Sequence, residues 1–155
     1  MQTIHWQCCQ FSKLNAIQLY AILQARSAVF VVEQNCPYLD MDNVDQSCLH
    51  LIAWTEQQEV AAYLRIVPPG LKFNEASLGR VITTQIGRGA GLGKQLLQHG
   101  IAACQNAYPE SAIRIAAQAY LEKFYQSFGF VTVSDEYLED DIPHIDMLLA
   151  VQANT

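Results

Sequence analysis

The chain has 155 residues, 51% of them hydrophobic, and a formal net charge of −6 at pH 7. That length allows one domain with a real core, and that composition excludes a generally disordered chain. The acidic balance argues against general nucleic-acid binding and fits a cationic or amine substrate, and five cysteines without a Cys-x-x-Cys pair suggest neither a disulfide framework nor a zinc ribbon.

Residues 3–8 form a short first strand. Residues 15–32 read as a helix, with Leu14, Ile17, Leu19, Leu23 and Phe30 supplying apolar surface and Ser12 or Asn15 as its cap. Residues 33–46 are irregular and acidic. Strands follow at 48–55 and 60–67, joined by a turn over 56–59, and again at 76–83. Residues 91–107 form a helix that puts Leu92, Leu96, Leu97, Ile101 and Cys104 on one face, stopped by Pro109. A buried strand over 113–117, a short helix over 120–128 ending at Gly129, and strands at 130–133 and 145–151 complete the chain. The order β-α-β-β-β-α-β-α-β-β, without repeat or linker, predicts a single α/β domain over 1–155. No basic, apolar leader opens the chain, and no run reaches the roughly 18–20 apolar residues that span a bilayer. A cytoplasmic protein with no membrane partner is expected.

The stretch Arg88 to Lys94, RGAGLGK, joins the third of the middle strands to the second helix. Alternating glycines let its backbone bend and approach a ligand. The helix that follows presents unpaired N–H groups and a positive dipole end, which favour a phosphate or pyrophosphate. No Asp or Glu lies between Glu75 and Glu110, while Arg80, Arg88 and Lys94 do. The spacing of Gly87, Gly89, Gly91 and Gly93 excludes the dinucleotide fingerprint, and Gln95 after Gly93-Lys94 excludes a P-loop. Asp40, Asp42 and Asp45 have metal-like spacing but lack the Gly and terminal Glu of a calcium loop. They read as a solvated acidic loop near the substrate mouth, and no metal is expected.

Arg88, Gly91 and Gly93 meet the pattern Arg-x-x-Gly-x-Gly, which resembles the acyl-coenzyme A pyrophosphate loop of the GNAT N-acetyltransferase superfamily. QAYLEKFYQSFGF, residues 118–130, is similar to that superfamily's later helix, with a tyrosine followed by Gly-Phe. AVFVVEQNCPYLDMDNVD, YLRIVPPG, LGRVITTQIGRGAGLG and the tail DDIPHIDM together resemble the ElaA-type acetyltransferases.

This resemblance implies a GNAT-like α/β (α+β) domain, a mixed central sheet flanked by helices with strands four and five splayed around acetyl-coenzyme A. It implies that Val81, Ile82 and Thr83 lie along the pantetheine, with the Val81 N–H donating to the acyl carbonyl. It implies that the amides of Arg88, Gly89, Ala90, Gly91, Leu92, Gly93 and Lys94 hold the pyrophosphate. Gln118 stands where many relatives have Asn against the backbone or pantetheine. Tyr125 matches the tyrosine that protonates the departing thiolate, a role a phenol suits. Two residues compete to take the proton of the amine: Glu33, from the family block, and His144, since imidazole suits base chemistry near neutral pH.

The implied function is acetyl transfer from acetyl-coenzyme A to a primary amine by direct attack, with a small-molecule or peptide acceptor and either a monomer or a homodimer. Two alternatives stand beside it. One is a non-catalytic acyl-coenzyme A sensor, which needs the loop but no acid. The other is an acyltransferase for longer chains, since VFVVEQ is also similar to acyl-homoserine-lactone synthases.

Overall fold

The structure, a computed structural model, describes residues 3–152. Two sheets carry the fold. The first is antiparallel, in the order β1 (His5–Gln10), β2 (Leu49–Trp54), β3 (Val60–Val67), β4 (Ser77–Thr83). In the second, β8 (Ile142–Leu149) lies between β5 (Ile113–Gln118) and β6 (Val131–Thr132), and β7 (Tyr137–Glu139) also pairs with β8. β4 and β5 touch at one parallel bridge, Ala76 with Ile113, where the Arg114 N–H donates to the Ala76 carbonyl at 2.9 Å. Beyond that point they diverge and leave a V-shaped cleft, as the family resemblance implies.

β3 is buried along its whole length, because helices cover both faces of the first sheet. Its side chains alternate. Leu64 and Ile66 join the core under α2 (Leu92–Ala107), while Tyr63 joins Ile22, Ile52 and Trp54 under α1 (Ala16–Ser27). A Cβ at Gly100 of α2 would meet Leu64 Cδ2 at 2.6 Å, so this helix sits directly on the sheet.

Asn15 is the cap of α1. Its Oδ1 accepts from the Gln18 N–H at 2.8 Å, and Gln18 Oε1 accepts from the Asn15 N–H at 3.1 Å, a reciprocal capping box. The helix widens into a π-helical stretch over Ala28–Glu33. The 18 residues Ala16–Glu33 are long and apolar enough, by length and composition, to cross a membrane, which the sequence reading did not anticipate. Here their inner side packs on the sheet, with Ile22 and Arg26 fully buried.

The predicted helix over 120–128 is a 3-10 turn, Ala119–Leu121, leading into the short α3 (Glu122–Gln126), with Gly129 at φ +100° just beyond. The last strand starts three residues earlier than predicted, at Ile142, and pairs with the unpredicted β7 through a two-residue turn, Asp140-Asp141. Both turn residues have positive φ, 50° and 63°, as a type I′ hairpin requires. Of the cysteines, Cys36, Cys48 and Cys104 are buried free thiols, whereas Cys8 is exposed.

Candidate active site

The opening between β4 and β5 holds about 740 Å³, a usual size for a small-molecule site. Val81, Ile82 and Thr83 line one wall and Gln118 lines the other. Tyr125, Glu33 and His144 also face it. From the glycine-rich loop only Arg88 and Gly93 reach the lining. Gly89, Ala90, Gly91 and Lys94 are exposed outside it, and the Leu92 side chain belongs to the core.

Among the described residues, no amide from Arg88 to Lys94 donates a hydrogen bond to the protein; the first to do so is Gln95, to the Gly91 carbonyl at 3.4 Å. Gly89 and Gly91 adopt φ +86° and +70°, and a Cβ at either would meet nothing within 4 Å. The loop is thus an open backbone cradle at the start of a 16-residue helix, with the donors a diphosphate needs. Gly87 serves a different purpose: a Cβ there would run into the Ala61 carbonyl oxygen.

The Arg88 side chain is already engaged. Its Nη2 donates to Glu33 Oε1 at 2.6 Å and to the Thr83 carbonyl at 2.9 Å. It ties the loop to the end of the first helix and to the end of β4. Its Nε and Nη2 are thus committed within the protein, and Glu33 carries a guanidinium on one oxygen.

Tyr125 is 6% exposed and sits edge-on to Phe124 and Phe130. Its hydroxyl bonds to no described residue. Among the described residues, the sealed, unpartnered side-chain atoms are Arg26 Nη2 and Arg65 Nε, so the phenol oxygen is open to the cleft. Burial pushes its pKa well above the usual phenol value, and it keeps its proton as a donor.

His144 stands opposite Gln118 in the β5–β8 ladder. Its Nδ1 lies 2.7 Å from the Ile142 carbonyl, which can only accept, so Nδ1 is the donor there. Nε2 lies 3.5 Å from Glu139 Oε2, and the ring stacks on Tyr137. Gln118 donates through Nε2 to Gln34 Oε1 at 3.3 Å, bridging the cleft to the segment after the first helix. Gln34, Tyr137 and Glu139 line the site and carried no sequence signal. His50 is structural, held between the Tyr63 hydroxyl and the Asp45 carbonyl.

The acidic loop is not solvated, which corrects the sequence reading. Asp40 and Asp45 are buried, and guanidinium groups far away in the chain occupy their oxygens. Arg26 donates to Asp40 at 2.8 Å and to Asp45 at 2.7 Å. Arg65 donates to Asp45 at 2.9 Å and holds both oxygens of Asp42, at 2.8 and 2.7 Å. Arg80 donates to Asp40 at 2.8 Å. Buried carboxylates are expensive unless paired in this way. The pairing also removes Arg80 from the cationic window drawn around the glycine loop.

The cysteines offer no obvious nucleophile. Burial pushes Cys48 to about 11 and Cys104 to about 12, so both are thiols near neutral pH. Neither lines the cleft.

Comparison with known proteins agrees with this geometry. Residues 22–151 match the family described as acetyltransferase (GNAT) domain. Protein ElaA of Escherichia coli K12 is 44% identical over 146 residues, covering 93% of this chain and 95% of that protein. The E. coli ElaA crystal structure superposes with a TM-score of 0.89 at 42% identity, covering 96% of this chain and 100% of that one. An acyl-CoA N-acyltransferase from Pseudomonas aeruginosa superposes with a TM-score of 0.91 at 40% identity, again covering 96% and 100%. Two antiparallel sheets parted around a cleft, with a glycine-rich loop at its rim, form the acyl-CoA N-acyltransferase fold. The chain belongs to the GNAT acetyltransferase family, and within it to the ElaA type.

Proposed function

We propose that this protein transfers an acetyl group from acetyl-coenzyme A to the primary amine of a small acceptor by direct attack. One observation carries the reading: a run of backbone amides without protein partners lies at the rim of a cleft into which a buried tyrosine hydroxyl opens. Acetyl-coenzyme A would supply an activated thioester. The amides of Arg88 to Lys94 bind its diphosphate, and the β4 backbone from Val81 to Thr83 runs along its pantetheine. Gln118 on β5, across the cleft from β4, contacts the same arm.

The β4 ladder is interrupted at the reacting end. Tyr63 pairs with Ile82 and Arg65 with Gly79, so Leu64, Arg80 and Val81 fall outside the register. The Val81 amide is therefore the donor assigned to the charge developing on the acyl oxygen, where such donors contribute most. His144 Nε2 takes the proton from the amine nitrogen as that nitrogen bonds to the acyl carbon. Tyr125 gives its proton to the departing sulfur as the carbon–sulfur bond breaks. His144 is preferred to Glu33 because its Nδ1 is fixed on the Ile142 carbonyl, which leaves Nε2, beside the Glu139 carboxylate, as the nitrogen that can take a proton, whereas Glu33 is held by the Arg88 guanidinium.

Steady-state kinetics with acetyl-coenzyme A and a panel of amines test this. Intersecting double-reciprocal lines are expected. Parallel lines would sink direct attack. Coenzyme A binding without turnover of any amine would favour the sensor alternative. Comparison of acetyl-, butyryl- and octanoyl-coenzyme A fixes the chain length.

A further inference from the structure

Arg80 has φ +52°, the left-handed region, at the β4 bulge. Bulges of this kind ordinarily place glycine in that conformation. Here glycine stands one position earlier, at Gly79, and a long cationic side chain occupies the strained position. That side chain is clamped. Nε donates to Asp40 Oδ1 at 2.8 Å, Nη2 donates to the Asp40 carbonyl at 2.6 Å, and the guanidinium lies 5.9 Å over the Phe30 ring. Asp40 is itself fixed by the fully buried Arg26 of α1. On the facing strand, Arg65 reaches Asp42 and Asp45 of the same loop. Both flanks of the bulge therefore hang from residues 40–45, and the next residue after Arg80 is Val81.

We propose that Arg80 is a positioning residue: by clamping Asp40 it holds the β4 bulge in the one conformation that aims the Val81 amide at the acyl carbonyl. This rests on the reading of Val81 given under Proposed function. The clamp accounts for a strained residue at the point where the sheet leaves its register, and for a carboxylate loop buried beside the cleft rather than hydrated. Arg80 touches no reacting atom in this scheme. It acts through the backbone.

The test compares the wild type with R80G, which relaxes the left-handed residue and removes the clamp while leaving Asp40 paired with Arg26. The infrared carbonyl band of bound acetyl-coenzyme A, labelled with carbon-13 at the carbonyl, reports the Val81 contact directly. Turnover and the affinity for coenzyme A, which has no acyl carbonyl, are measured alongside. In the wild type the band moves to lower frequency on binding. In R80G it returns towards the free position, kcat falls about 10- to 100-fold as expected for a misplaced donor, and coenzyme A affinity stays within about twofold. R80K keeps the charge but cannot span both Asp40 oxygens, and should lose several-fold in kcat with a near wild-type melting temperature. It decides the matter should R80G not fold. A wild-type band that does not move overturns the Val81 reading itself. A normal wild-type shift retained in R80G, or full turnover in R80K, overturns the role of Arg80 alone. Equal loss of coenzyme A affinity and turnover in R80G also overturns it, because the effect would then be on the whole cleft.

Discussion

Arg88 and Glu33 form a 2.6 Å ion pair that joins the glycine-rich loop to the end of the first helix, 55 residues away in sequence. Both side chains are partly exposed, so the pair adds about 1 kcal/mol or less to stability. Its weight is in placement: the same guanidinium holds the Thr83 carbonyl, and thereby the end of β4. With His144 as the base, E33Q should retain the acidic limb of the pH dependence of kcat/KM, and H144N should abolish it. The reverse pattern would make Glu33 the base.

Tyr125→Phe removes one oxygen from a packed aromatic site. Coenzyme A affinity and melting temperature should stay near wild type, since the hydroxyl bonds to no described residue. Turnover should fall by roughly 100-fold, the usual worth of a positioned acid. Release of coenzyme A thiol over time measures it. Joint loss of affinity and turnover would place Tyr125 in binding rather than proton transfer.

Alanine at the loop glycines should separate binding from folding. Gly91→Ala and Gly89→Ala meet open space but keep a left-handed φ, at a cost of about 1–2 kcal/mol each. Their expected signature is weaker coenzyme A binding with a small change in melting temperature. Gly87→Ala forces a methyl group against the Ala61 carbonyl and should lower the melting temperature sharply. Calorimetric titration with coenzyme A, paired with thermal melts, distinguishes the two classes.

The buried ion network predicts acid sensitivity. Burial alone would raise the Asp42 and Asp45 carboxyls, but hydrogen bonds and charge from Arg65 and Arg26 outweigh it and hold both below the usual range. Their stabilisation is complete above the unfolded carboxylate value of about 4 and fades as pH falls through and below it. Asp45→Ala leaves Arg26 and Arg65 short of a shared partner and should cost about 3–5 kcal/mol. Urea unfolding at pH 7 and at about pH 3, below the unfolded carboxylate value, measures both effects, and the variant should lose less than wild type on acidification.

The loop and the tyrosine helix were legible because their chemistry is local. Glycines at alternate positions before an apolar helix, and a tyrosine before Gly-Phe, announce themselves within a dozen residues. The Asp40–Asp45 loop was not. Its partners Arg26, Arg65 and Arg80 lie on three different elements, and only folding brings them together. Three carboxylates in an irregular segment, without the pattern of a metal loop, therefore suggested solvent where the chain has buried charge. The β7–β8 hairpin was missed for a different reason. Asp140-Asp141 performs a turn usually signalled by Asn-Gly or Asp-Gly, and its carboxylates read as ordinary loop polarity. With it went Tyr137 and Glu139, the neighbours of His144. Gln34 was hidden by the π-helical stretch before it, since widening the helix shifts every later side chain off the expected face.

The single bridge from Ala76 to Ile113 makes the two sheets the arms of a caliper. Thr83 lies seven positions along one arm, about 23 Å from the pivot at the rise of an extended strand. A swing of roughly 3° there opens the jaws by about 1 Å at the tip and hardly at all near the hinge. Substitutions that repack the pivot should thus retune the gauge of the far end without altering a single side chain at it.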